Sequence, residues 1–177
     1  MFDAVVKRGR RKPLFVVDPE TTVRVELGRR EVERMLPHRD PMLLVDGIDS
    51  IDLTQGALSG FREVRADDPV LAGHFPGDPV YPGVLLLESI GQLGICLQHV
   101  LSSKRTVVDE TDQPRSLRLL KVHHGLFQGA VVPGERVTLL AKALEESDYV
   151  STCAGQVLGA DGQVKALAVF EVFMLDE

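Results

Sequence analysis

Gly73–Gly94 reads GHFPGDPVYPGVLLLESIGQLG. Its first half is turn material, with Gly73, Pro76, Gly77, Pro79, Pro82 and Gly83 inside eleven positions. Its second half is apolar almost without interruption. Pro82 suits the first position of a helix, where a missing N–H has no partner to lose. From Val84 to Leu101 the apolar residues occupy more than one helical face, and a helix apolar most of the way round is a buried one. The stretch predicts a stiff turn segment feeding one long core helix. Two ionisable side chains stand out against it, His74 among the turns and Glu88 in the apolar run.

The flanking sequence sets what surrounds that helix. Upstream, GRREVERML (28–36) carries Val32, Met35 and Leu36 at helical spacing, and PHRDP ends the short helix this implies. MLLVDGIDSI (42–51) and GALSGFREVRA (56–66) read as two strands with a polar turn between them. Downstream of a polar loop at 102–116 come strands only: LRLLKVHHGLF, ERVTLLAKALEES, YVSTCAGQVLG and QVKALAVFEVFML. The last two are joined by Ala160–Gly162, ADG, a hairpin signal. On the final strand Val164, Ala166, Ala168, Phe170, Val172 and Met174 share one face. Runs of strands beside a single helix imply an α+β fold with an antiparallel sheet wrapped around the helix.

Bulk properties narrow the partners. The chain has 177 residues, suited to one domain, and 44% hydrophobic residues, enough for a core. A formal net charge of -6 argues against nucleic acid. Cys96 and Cys153 lie in apolar surroundings and read as reduced, buried thiols with no metal-site neighbours. No signal-peptide pattern opens the chain, and no segment approaches the ~20 apolar residues of a bilayer span. A cytoplasmic protein is expected, without metal or organic cofactor. Residues 1–30 differ from the rest and are read as an N-terminal extension to a domain at 31–177. The extension holds the basic run KRGRRK (7–12), with Arg29–Arg30 at its end, and is expected to be a solvated arm; contact with an acidic partner is the alternative. DPETTVRVEL within it has the look of a short strand.

The chemistry returns to the opening stretch. Gln92 follows Glu88 by four residues, so the two share a helix face and form a narrow polar stripe. Burial in such a stripe favours a protonated carboxyl, which suits a general acid. His74 sits in a Gly/Pro loop of the kind that holds a backbone close to a ligand. The first N–H groups of the helix lack intrahelical partners, and Gly83 has no side chain to keep a substrate carbonyl away from its own. A base in a loop, an oxyanion donor at a helix start and an acid further along suit removal of a proton alpha to a carbonyl with loss of a beta leaving group.

LPHRDPMLLVD (36–46), followed by the 73–92 motif and by VVPGE (131–135), closely resembles the 3-hydroxyacyl-(acyl carrier protein) dehydratases of the FabZ/FabA type. The resemblance covers roughly residues 30–177. It implies the hot-dog fold, a curved antiparallel sheet around one long buried central helix, assembled as a homodimer or a trimer of dimers. It implies a site at the dimer interface, with the histidine from one subunit and the acid from the other. By that resemblance His74 and Glu88 are catalytic, the Gly83 N–H binds the thioester carbonyl, Gln92 supports the acid, and the carbonyl of Val80 orients His74. Phe75 joins the substrate-binding set. Glu at position 88 is similar to the FabZ branch, which dehydrates, more than to the FabA branch, which also isomerises. The substrate would be an acyl-carrier-protein or CoA thioester. Uncharged LFQGA (126–130) stands where the family usually carries a basic stretch, and Asp40 where an aromatic residue is more usual. Carrier docking is therefore expected at Lys104, Arg105, Arg115 and Arg118. His38 is expected to shape the loop beside the site, His123 and His124 to be structural, and His99 to be peripheral. Two other functions are compatible with the fold, acyl-thioester hydrolysis and non-catalytic acyl binding within a synthase; the presence of both His74 and Glu88 argues against each.

Overall fold

The computed structural model describes residues 2–147 and 149–174. Its elements are α1 (Asp3–Gly9), β1 (Val23–Leu27), α2 (Arg29–Met35), β2 (Gly47–Asp52), β3 (Ala57–Glu63), α3 (Gly83–Ser103), β4 (Leu117–Phe127), β5 (Arg136–Glu146), β6 (Val150–Leu158) and β7 (Val164–Met174). The seven strands form one sheet in the order β1-β2-β3-β5-β6-β7-β4. All pairings are antiparallel. The sheet curves around α3, and this is the hot-dog fold. The four strands expected after the helix are all present.

α3 begins at Gly83 with Pro82 as its N-cap, one residue later than the expected Pro82 start. Pro82 has ψ 128°, an extended value, so its ring closes the turn segment and does not open the helix. The helix ends at Lys104, which adopts a left-handed φ of 54°. Leu93 and Leu97 are fully buried against the sheet, and each such side chain contributes about 1.5–3 kcal/mol. Contact is closest at Gly155 of β6, where an added Cβ would lie 1.6 Å from Ile90 Cγ2. By length and composition α3 could cross a membrane (21 residues, mean hydropathy 1.5), contrary to the expectation that no segment comes close. However, 61% of that window is buried inside the fold, as a core helix requires.

The strands alternate between two cores. Ala166, Ala168 and Phe170 of β7 join Leu93 and Leu97 in the main core. Leu167 and Val169, pointing the other way, pack with Ala154, Leu14 and Phe2. The second face is covered by the N-terminal arm. The expectation of a solvated arm is thus corrected: Phe2, Leu14 and Phe15 are buried. β1 pairs with β2, so the expected short strand is an edge of the main sheet. The physical reason lies in the second half of β6, where from Cys153 to Leu158 both faces are apolar apart from Gln156, so neither can be left in water.

Candidate active site

A short 3-10 turn, Pro69–Ala72, delivers the chain to His74, with Asp68 capping it through the Val70 N–H at 3.1 Å. The chain then reverses at Phe75–Asp78, where Gly77 supplies a φ of +83° that other residues rarely adopt. The Val80 N–H donates to the His74 carbonyl at 2.8 Å. The Val80 carbonyl in turn lies 2.8 Å from His74 Nδ1. A carbonyl can only accept, so Nδ1 carries the proton and Nε2 keeps a free lone pair. In the neutral ring this leaves Nε2 as the nitrogen able to accept a proton. The ring of Phe75 stacks on His74 with centroids 4.0 Å apart. His74 faces a cavity of about 410 Å³ with Val80, Tyr81, Gly83, Val84, Phe127 and Ala130 among its walls. At Gly83 a Cβ would sit 2.8 Å from the Phe127 ring, so only glycine leaves the helix start open beneath that ring. No backbone acceptor for the Gly83 N–H is found among the described residues.

Glu88 lies elsewhere. Five residues of helix turn it about 140° away from Gly83, and it faces a second cavity of about 510 Å³. The lining sets of the two cavities share no residue. Gln92, 1% exposed, organises this second site. Its Oε1 accepts from Leu44 N at 2.8 Å, and its Nε2 donates to Met42 O at 2.7 Å and to Glu88 Oε1 at 2.9 Å. One amide therefore pins the 42–44 loop to α3 and orients the carboxylate. Glu88 is more open than the expected buried stripe allows, its side chain being 37% exposed. The stripe faces the cavity, which leaves the carboxylate open on that side.

His38 comes closer than expected, with Nε2 3.5 Å from Glu88 Oε1, near enough for an ion pair when protonated. The first family motif placed His38 in the loop beside the site, but its contact with Glu88 depends on how that loop folds onto α3. Asp40 binds Arg29 at 2.6 Å, and Arg29 also holds Asp46 at 2.8 Å. Arg115 and Arg118 line the Glu88 cavity. Lys104 is exposed, whereas Arg105 is tied up by Asp109 and by Asp112 at 2.6 Å. His123 pairs with Glu171 at 2.8 Å. His99 is buried near Asp112, and burial lowers its pKa despite that carboxylate. Cys96 and Cys153 are free thiols, and burial pushes Cys153 up to about 12. Among the described residues no cluster of three His, Cys, Asp or Glu is placed to hold a metal.

A hot-dog sheet around one helix, an oriented imidazole on one side and an amide-held carboxylate on the other, define a class of enzymes acting on acyl thioesters. The FabA-like domain model matches residues 36–168. The 3-hydroxyacyl-(acyl-carrier-protein) dehydratase FabZ of Aliarcobacter butzleri is 30% identical over 148 residues, 83% of this chain and 97% of that one. Its counterpart in Chlamydia trachomatis serovar D is 38% identical over 150 residues, covering 81% and 93%. Among solved structures, the dehydratase heterocomplex ApeI:P of Xenorhabdus doucetiae superposes with a TM-score of 0.62 at 20% identity, covering 82% and 91%. A mutant thioesterase of Pseudomonas aeruginosa gives 0.59 at 16%, covering 82% and 92%, a likeness of fold alone. The chain belongs to the FabA-like family.

Proposed function

We propose that this protein dehydrates a 3-hydroxyacyl thioester, carried on an acyl carrier protein, to a trans-2-enoyl thioester and water. His74 Nε2 takes the alpha proton while the Gly83 N–H holds the developing negative charge on the thioester carbonyl. Glu88 of a second copy protonates the beta hydroxyl as its C–O bond breaks. The electron pair of the broken C–H bond becomes the new double bond, and the proton on His74 returns to Glu88 to close the cycle. The Gln92 amide keeps Glu88 aimed, and the Val80 carbonyl stabilises the imidazolium once it forms.

The observation that carries this reading is the separation of His74 and Glu88 into two cavities of one chain. Each cavity holds half of the chemistry, so a homodimer would complete it. The outer edge of β4 supports such pairing: the strand bonds only β7 among the described residues and leaves Leu119, Leu120 and Val122 exposed. The free buried thiols fit a reducing cytoplasm. The family match begins at residue 36, which supports reading 1–30 as an extension in sequence to the domain at 31–177, although β1 and the apolar anchors build that extension into the same packed fold.

Co-refolding His74→Ala chains with Glu88→Gln chains tests the composite site. Half of the dimers formed at random are hybrids with one intact site each, so about a quarter of wild-type activity is expected. Demonstrated hybrids without activity would place both residues in one subunit. Release of free thiol in place of an enoyl product would turn the reading to thioester hydrolysis.

A further inference from the structure

The basic run Lys7–Lys12 places five of the chain's 20 Lys and Arg residues in six positions of a chain with net charge -6. Lys7, Arg8, Arg10, Arg11 and Lys12 are all exposed. None of them pairs with a carboxylate among the described residues. The run is nevertheless held in place through its backbone. Gln156 of β6, fully buried, donates to the carbonyls of Gly9 and of Lys12 (3.0 Å) and accepts from Leu14 N at 3.0 Å. Gly9 packs onto Leu14 and Leu167, where an added Cβ would come within 3.0 Å of each. Gln128 Nε2 donates to the Arg10 carbonyl at 3.0 Å.

That last contact sets the location. Gln128 sits between Phe127 and Gly129, which both line the His74 cavity with Ala130. The segment 126–130 has no charge of its own. The arm therefore brings a cationic cluster to the rim of the cavity that holds the base. Backbone anchoring leaves the side chains free to meet a partner. Of the competing residues, Arg105 is already bound by Asp109 and Asp112, and Arg115 and Arg118 line the Glu88 cavity and not the rim of the His74 cavity.

We propose that the basic run Lys7–Lys12 is the docking surface for the acidic carrier protein that presents the thioester to His74. The assignment rests on the function proposed above. A carrier must dock close enough to place its tethered acyl group in the His74 cavity, and an acidic surface approaching a chain of net charge -6 needs a local positive field to be captured. An anionic membrane would meet the same charges, and the test separates the two.

The experiment uses the full chain with Arg8→Ala, Arg10→Ala and Arg11→Ala together, which leaves every anchoring carbonyl in place. Carrier binding is titrated directly, and turnover is measured on carrier-bound substrate and on a short pantetheine thioester. The expected result is about a tenfold weaker Kd and higher KM for the carrier, with less dependence on salt. Turnover of the pantetheine thioester stays within twofold. Lysine at the same three positions restores carrier affinity, which a merely structural role for arginine would not permit. An unchanged carrier Kd in the alanine variant overturns the proposal, as does loss of binding to vesicles containing phosphatidylglycerol with carrier binding intact. Failure of the wild-type protein to dehydrate the pantetheine thioester would sink the catalytic reading instead, and the binding titration would still decide the docking.

Discussion

The two faces of the sheet are buried in different ways. The concave face rests on α3, a single continuous helix whose side chains interdigitate with the strands. The convex face is closed by a thin arm with a few apolar anchors, Phe2, Leu14 and Phe15, and by one buried amide, Gln156. In the first arrangement the helix that fills the core also carries Gly83, Glu88 and Gln92, three of the residues proposed for the site. The second brings charge to the rim of the site and supplies no reacting group. A core made by a helix and a cover made by backbone hydrogen bonds should therefore fail in different ways.

The largest effect is expected on the concave side at the reacting groups. His74→Ala and Glu88→Gln should each fold and each reduce kcat by about 10²–10⁴, measured as enoyl formation under saturating substrate. Near wild-type turnover in either variant would break the link between helix and chemistry.

Two neighbouring residues of β6 then compare the faces directly. Gly155→Ala drives a methyl group into Ile90, and overpacking of this kind destabilises by roughly 1–3 kcal/mol. Thermal unfolding should show this as a lower Tm for the whole chain. Gln156→Leu, one residue on, removes three hydrogen bonds to the arm. Each partner left unsatisfied in a buried setting costs about 1–3 kcal/mol, but the arm can escape the penalty by detaching. The expected outcome is a smaller loss in Tm with rapid tryptic cleavage within residues 7–12 and unchanged turnover of a short pantetheine thioester. Equal protease resistance in wild type and Gln156→Leu would mean that the apolar anchors alone hold the arm.

The smallest effect concerns the far end of the arm. Burial alone would raise the Asp52 carboxyl, but hydrogen bonds from Thr21, the Gln55 backbone and Thr22 outweigh it and hold the pKa down to about 2. Thr21 Oγ1 and Thr22 Oγ1 donate to it at 2.6 and 2.8 Å. A folded-state pKa below the ordinary 3.8 means that the stabilisation is fully present above about pH 4 and is lost as pH falls through 2. Stability measured across that window should decline less steeply in Asp52→Asn. Parallel declines would assign the acid sensitivity to other carboxylates.

The helix and the strands were legible because each rests on local pattern, whereas the contact of His74 with Val80 was expected only through the family resemblance. Apolar residues on most faces of 84–101 demand burial, and the alternation in 164–174 demands a strand. The 73–83 turns are dictated by glycine and proline dihedrals. His38 was expected beside the site, but its direct approach to Glu88 and the packed arm were not legible, since both depend on contacts between residues far apart in the chain. Gln156 illustrates the limit: in YVSTCAGQVLG it looks like one polar residue in a strand, yet it binds backbone 142 or more positions away. The compensation of Arg105 by Asp109 and Asp112 was nearby in sequence, but only the loop geometry brings those charges together.

The sequence by itself determined the order of the elements from β1 onward, the buried helix and the family, and it named His74 and Glu88 as the candidates for the chemistry, because side-chain type and spacing act over a few residues. The tertiary structure decided which walls surround His74 and Glu88 in their separate cavities, that residues 2–27 belong to the packed fold, and which basic residues are free to meet a partner. Those outcomes depend on helix rotation, on which strand faces are left apolar, and on which charges find partners across the chain. Each is a sum over distant contacts that no local window contains.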